Sequence, residues 1–189
     1  MKTTKRVLAV HGYWWGPDSR WAARYNELVC AFVFDIHTRY DFILLLSGWG
    51  GNGRLDTIAE FQRDLLILSG GLTERLKTQT DFEIHSHPPL DTWEEVALLK
   101  KMLSALGFSD DVTVDVITMH WHTTRTSIIY RQMGLKSGKF FRVDGSQTVV
   151  RFVHEVVGLL IALIDRDGQG FILREERLRR LKETRQKRD

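Results

Sequence analysis

Residues 112–134 read VTVDVITMHWHTTRTSIIYRQMG. Val112, Val114 and Val116 open an apolar, β-branched run that continues to about Met119, the pattern of a strand. His120, His122, Thr123, Thr124 and Arg125 then interrupt it with polar groups, and a helical pattern from Thr123 or Thr124 runs until Gly134 stops it. A strand that opens straight into a helix is half of a β-α-β unit, and the loop between them is where an α/β protein tends to hold a ligand. The fold therefore turns on whether the same unit recurs.

It does recur. Residues 6–10 form a short β-branched strand stopped by His11 and Gly12, and Asp18 or Ser19 can cap the helix that follows. In that helix Trp21, Tyr25, Leu28 and Phe32 fall on one face suited to cover a sheet. Residues 41–46 are a continuous apolar run of the kind buried on both sides in a parallel sheet, followed by SGWGGNG (47–53) and a helical pattern from about Arg54. Between residues 69 and 89 the pattern decays through SGGL, a polar stretch, FEI (82–84) and HSHPP, which reads as a long loop with one short strand. From Asp91 the signal sharpens: Asp91 caps, Glu94 completes a capping box, Val96, Leu99, Leu103 and Leu106 make one stripe, and Gly107 ends the helix. Residues 139–143 suggest a further short strand, and Val149, Val153, Val156, Leu160 and Leu163 a further helix. Alternating strands and helices imply an α/β protein with a three-layer, Rossmann-like, doubly wound and mostly parallel sheet. Residues 1–147 are the expected body; residues 148–189 are expected to be C-terminal helices packed on the same domain as a helix-loop-helix extension.

Charge and composition exclude several classes. The 189 residues carry a net +3, but residues 172–189 hold eight Lys or Arg against four Asp or Glu, so residues 1–171 carry −1. No basic stripe interleaved with aromatics remains for nucleic acid, and the tail reads as a solvated helix. Cys30 is the only cysteine, so no intramolecular disulfide forms and a reducing compartment, the cytoplasm, is expected. The longest apolar run after the first strand, VVGLLIALI (156–164), falls short of the ~20 residues that cross a bilayer.

In a doubly wound sheet the loops that begin at His11, Ser47 and His120 share one edge, where free helix N-terminal N–H groups favour an anion. Gly48, Gly50 and Gly51 let backbone approach such a ligand, and Ser47, Thr123 and Thr124 offer hydroxyls. Arg125 offers a bidentate contact, His122 an acid or base, and Glu94 an acceptor for a proton or hydroxyl. GWGGNG (48–53) matches the dinucleotide fingerprint, yet the acid expected about twenty residues on has only Glu74 in a loop-like segment, so a plain glycine turn is preferred. His85, His87, His120 and His122 form two pairs at a spacing of two that could surround a metal. No cysteine or suitably spaced carboxylate supports this, and His122 beside an anion is the preferred reading. Trp14, Trp15 and Trp49 lie in the first two loops, as stacking surfaces or as anchors.

A separate segment, DRDGQGFILREE (165–176), fits the frame of an EF-hand-like calcium loop. Its ligands would come from Asp165, Asp167, Gln169, the carbonyl of Phe171 and Glu176, with Gly170 at the turn. Against it stand an uncharged residue at position five and Leu173 at position nine. The competing expectation is therefore a non-enzymatic calcium-binding or scaffold module whose C-terminal helix pair mediates association, a homodimer included.

In its short motifs the chain resembles the YdcF/SanA/ElyC-like family. Gly12 matches the glycine after the family's first strand, SGWGG (47–51) its SGG-type loop, and DTWEEV (91–96) its acidic helix start. ITMHWHTTR (117–125) matches its strand-end motif at Thr118, His122 and Arg125. Glu95 stands where the family has Asn. The resemblance, over residues 6–145, implies a Rossmann-like pocket for an anionic or nucleotide-like small molecule: a phosphate, a nucleotide or S-adenosylmethionine. It implies Gly12, Thr92, Glu95 and Thr118 among the contacts, and transferase or hydrolase chemistry as the reaction class.

Overall fold

Strands β1 (Val7–Val10), β2 (Phe42–Leu45), β3 (Leu76–Lys77), β4 (Thr113–Met119) and β5 (Lys136–Val143) form a five-stranded sheet in the order β3-β2-β1-β4-β5, every neighbouring pair parallel. These come from a computed structural model that describes residues 5–12, 20–46, 58–70, 74–82, 84, 89–109, 112–144 and 149–185. The sequence loops 13–19 and 47–57 and the pair His85 and His87 lie outside them; so do Ser47, Gly48, Gly50, Gly51, Trp14, Trp15 and Trp49.

The pleat sends alternate residues to opposite faces, and each face has its own core. Leu8, Val10, Ile43, Leu45, Ile117 and Met119 meet α1 (Arg20–Ile36) and α2 (Ile58–Gly70). Val7, Ala9, Leu44, Val114 and Val116 meet α3 (Thr92–Ala105) and α4 (His122–Gln132). Helices on both faces of a parallel sheet give the three-layer, doubly wound architecture. Among the described residues no helix is long and apolar enough to cross a membrane.

The helix ends follow local chemistry. Asp91 accepts the Glu94 N–H at 3.0 Å, Glu94 reaches back to the Leu90 N–H at 2.8 Å, and Gly107 (φ 75°) and Gly134 (φ 74°) take the left-handed conformation just past α3 and α4.

Two expectations need correction, the inner faces of α1 and of the helix at Val149–Ile164. The inner face of α1 is Tyr25, Val29, Val33 and Ile36, whereas Leu28 is 42% exposed. Phe32 sits at the edge, partly buried. The short strand expected between residues 69 and 89 is Leu76–Lys77, which pairs with β2. In α5 (Val149–Ile164) the helix forms as expected, but Val153, Val156, Leu160 and Leu163 point outward, each about half exposed. The side of α5 that packs carries Glu155 and Ala162, and Gln132 of α4 donates to the Ala162 carbonyl at 2.8 Å. A turn at residues 165–170 leads into α6 (Phe171–Arg185), whose Arg177 clamps Asp91 through Nε at 2.5 Å and Nη2 at 3.1 Å.

Candidate functional site

Between β1 and β4 the winding reverses: the helix after β1 lies on one face and the helix after β4 on the other. Ligands of doubly wound sheets gather at this switch point, outside the carboxyl ends of the strands. Two histidines mark it here. His11 follows β1 directly and donates its backbone N–H to the Ile117 carbonyl of β4 at 2.9 Å. His122 is the first residue of α4.

Each histidine is the middle of a buried polar chain. His11 Nδ1 lies 2.8 Å from Glu95 Oε2, and its Nε2 lies 2.9 Å from the Tyr130 hydroxyl. Burial first, and the Glu95 charge second, push the Tyr130 hydroxyl well above its ordinary value, so it stays protonated. In the neutral ring, Nδ1–H donates to the Glu95 carboxylate and Nε2 accepts from Tyr130.

The second chain runs from Thr92 through His122 to Arg125 and Glu155. Thr92 Oγ1 is 3.0 Å from His122 Nε2, and Arg125 Nη2 is 2.6 Å from Nδ1. Glu155 lies within 3.2 Å of that same ring nitrogen and 3.4 Å of Arg125 Nη2. Nδ1 thus meets a group that can only donate, the Arg125 guanidinium, and one that can only accept, the Glu155 carboxylate, while Nε2 meets the Thr92 hydroxyl, which can take either role. Gly158 of α5 makes room for this arginine, since a Cβ there would overlap Nη1. The Nε of Arg125 is buried and has no hydrogen-bond partner among the described residues.

Burial first and the Arg125 charge second lower the His122 pKa below its ordinary 6.5, against the opposing pull of Glu155. The folded ring is neutral while the unfolded ring takes a proton below about 6.5, so unfolding takes up a proton as the solution acidifies. The stability held by a neutral His122 is present above pH 6.5 and lost as the pH falls through the folded value. Denaturation midpoints collected from pH 7.5 to 5 are expected to fall with a slope of at most about 1.4 kcal/mol per pH unit from this group. His122→Gln should flatten that part of the profile; an unchanged slope would show that another group is responsible.

The remaining expected residues separate into those at this place and those elsewhere. Gly12 is buried beside His11, and Thr92 and Glu95 point from the first turn of α3 to the two histidines. Thr118 is buried within β4, level with Arg142 of β5. The Thr123 hydroxyl donates to the Met119 carbonyl at 3.2 Å, which engages it in the turn and not toward the rim. Glu94 is turned away to its capping contact and to Arg177, 3.2 Å off, which takes it out of the acceptor role expected for it. His120 is 45% exposed at its side chain and 3.9 Å from Asp144.

In the 165–176 segment, Asp165 accepts the Gly170 N–H at 2.7 Å and the Gln169 N–H at 3.1 Å, and Asp167 also accepts from Gln169. Phe171 is 76% exposed. Glu176 is bound by Arg179 at 2.7 Å and Arg180 at 2.8 Å, which hold its carboxyl below the usual range. Among the described residues no group of three His, Cys, Asp or Glu side chains is placed to hold a metal ion.

Tyr130 and Glu155 are site residues that the sequence patterns did not single out. Each left a signal: Glu155 is the only acid in α5, and Tyr130 lies two turns after His122 on the same face, with Thr126 between them. No protein-family model, no curated protein and no solved structure matches the chain.

Proposed function

We propose that the protein binds an anionic or nucleotide-like small molecule at the β1/β4 switch point, with Arg125 as the contact for negative charge. The observation that carries this reading is the meeting of His11, Thr92, Glu95, His122 and Arg125 at that one place, from separate elements of the fold. The buried Nε of Arg125, without a partner among the described residues, adds a donor in want of an acceptor. The order of motifs that resembles the YdcF/SanA/ElyC-like family supports the same ligand class: phosphate, nucleotide or S-adenosylmethionine. Transfer or hydrolysis of a group on that ligand is the chemistry the proposal extends to. In it His122, neutral and engaged on both nitrogens, serves as a positioning residue that aims Arg125.

Thermal denaturation with adenine nucleotides, S-adenosylmethionine and nucleotide sugars tests the reading. A ligand at about a hundred times its Kd stabilises by roughly 2.7 kcal/mol, which raises the Tm by several degrees in a chain of this size. Gly158→Ala is the informative variant, because it displaces the guanidinium while replacing a helical glycine by a better helix former. It is expected to lose the ligand-induced rise, and because moving the guanidinium also loosens its pair with Glu155, the rise is read from the variant's own lower ligand-free Tm. If no ligand in this set moves the wild-type Tm, the proposal fails.

A further inference from the structure

α5 is apolar around most of its circumference, a pattern that belongs to helices covered on all sides. Among the described residues only its inner side is covered, chiefly by α4. On the outer side Val153, Val156, Val157, Leu160, Leu163 and Ile164 are 40–83% exposed. Phe152 extends this face and meets the half-exposed Trp121 edge-on, with ring centroids 5.5 Å apart. With roughly 150–250 Å² for a fully exposed large side chain, the open apolar surface is on the order of 700 Å². That exceeds the ~300–600 Å² of the largest patch on a typical monomer and approaches the ~800 Å² that each partner brings to a stable two-chain interface.

We propose that a second copy of this chain covers the face, α5 against α5 in antiparallel orientation about a two-fold axis level with Gly158. The order of the residues carries the choice of occupant. About position 158 six of the eight exposed positions from 152 to 164 are mirrored, 152 with 164, 153 with 163, and 156 with 160, while Val157 and His154 have the half-buried Leu159 and the buried Ala162 as their mirrors. An antiparallel copy therefore sets Phe152 against Ile164, Val153 against Leu163 and Val156 against Leu160, a small side chain facing a larger one in the last two pairs. A surface that fits itself in this way is what an isologous contact requires. The 3-4-3 spacing of Val153, Val156, Leu160 and Leu163 is also that of a helix-helix seam. The only ionisable residues from 152 to 164 are His154 and the buried Glu155, so the face has little to recruit a charged partner. The inference stands apart from the ligand reading and survives its failure.

Sedimentation velocity of the full chain at about 100 µM, where a micromolar Kd leaves the dimer dominant, is expected to give twice the monomer mass. Val156→Lys and Leu160→Glu should each halve that mass with unchanged far-ultraviolet circular dichroism, because both positions are about half exposed. The double variant, in which the introduced lysine of each copy would face the introduced glutamate of the other, should regain the dimer. A monomeric wild type at that concentration overturns the proposal, as do single variants that remain dimeric. Co-sedimentation of wild-type monomer with phosphatidylcholine or phosphatidylserine vesicles would assign the face to a lipid surface and also overturn it.

Discussion

Replacing Glu155 with alanine is expected to lower the stability by about 3–5 kcal/mol, the range for removing one partner of a buried ion pair. The Glu155 side chain is 8% exposed and the Arg125 side chain 20% exposed. Without Glu155 the guanidinium keeps the imidazole of His122 as its remaining partner among the described residues, in a place where little water can replace a carboxylate. The loss originates in an uncompensated cation and not in a strong bond. The favourable attraction of the intact pair is largely offset by the desolvation of both ions, so removing the two together should cost far less than the single changes predict. Glu155→Leu with Arg125→Met is the corresponding double variant. Urea denaturation of the wild type, the two single variants and the double checks this: a single-variant loss near 4 kcal/mol with a strongly non-additive double is expected at an unchanged m-value. Additive losses would show that Glu155 and Arg125 act separately, and the second polar chain would lose its meaning as a unit.

The same residue explains why the site was only partly readable in the sequence. Local chemistry is legible because its partners are neighbours: Asp91 and Glu94 announce the start of α3, and Gly107 and Gly134 the ends of α3 and α4, without reference to the rest of the molecule. That the sheet is parallel follows once the strands are seen to alternate with helices, because parallel strands need crossovers, but the order β3-β2-β1-β4-β5 does not, since the same alternation serves other orders. Which side of a helix faces inward is less legible. In α1 both the stripe through Leu28 and the stripe through Val29 are apolar, and small differences in how the helix lies on the sheet decide between them. In α5 nearly every side is apolar, so periodicity identifies the helix and is silent about its orientation. Glu155 is the one residue there that could have settled the question. A lone carboxylate in an apolar helix turns toward a buried cation, and so directs the opposite apolar stripe outward. His122 and Arg125 were visible because they interrupt a strand-helix junction. Tyr130 was hidden in the middle of a helix, where a tyrosine is ordinary core.

The other large effect concerns the first polar chain. His11→Ala is expected to cost about 4 kcal/mol, because it orphans two buried groups at roughly 1–3 kcal/mol each and leaves the volume of an imidazole empty. His11 is 0% exposed and its ring also packs edge-on against Tyr130, with centroids 5.8 Å apart. His11→Asn separates the contributions: its amide can keep the bond to Glu95 that Nδ1 makes, while the Tyr130 hydroxyl loses its partner. About half the loss is expected for that variant and for Tyr130→Phe, which strips the hydroxyl and leaves Nε2 unmatched. Urea midpoints at pH 7.5, where His122 contributes no slope, give the comparison. A cost below about 1 kcal/mol for His11→Ala would mean that water enters and satisfies Glu95 and Tyr130, so that the place is wet and not sealed. The size of the loss thus bears on function as well as on stability. His11 belongs to the end of β1, Glu95 to α3 and Tyr130 to α4, so this one ring joins the three elements that flank the switch point. The spacing between the first turn of α3 and the last turn of α4 is set by that imidazole.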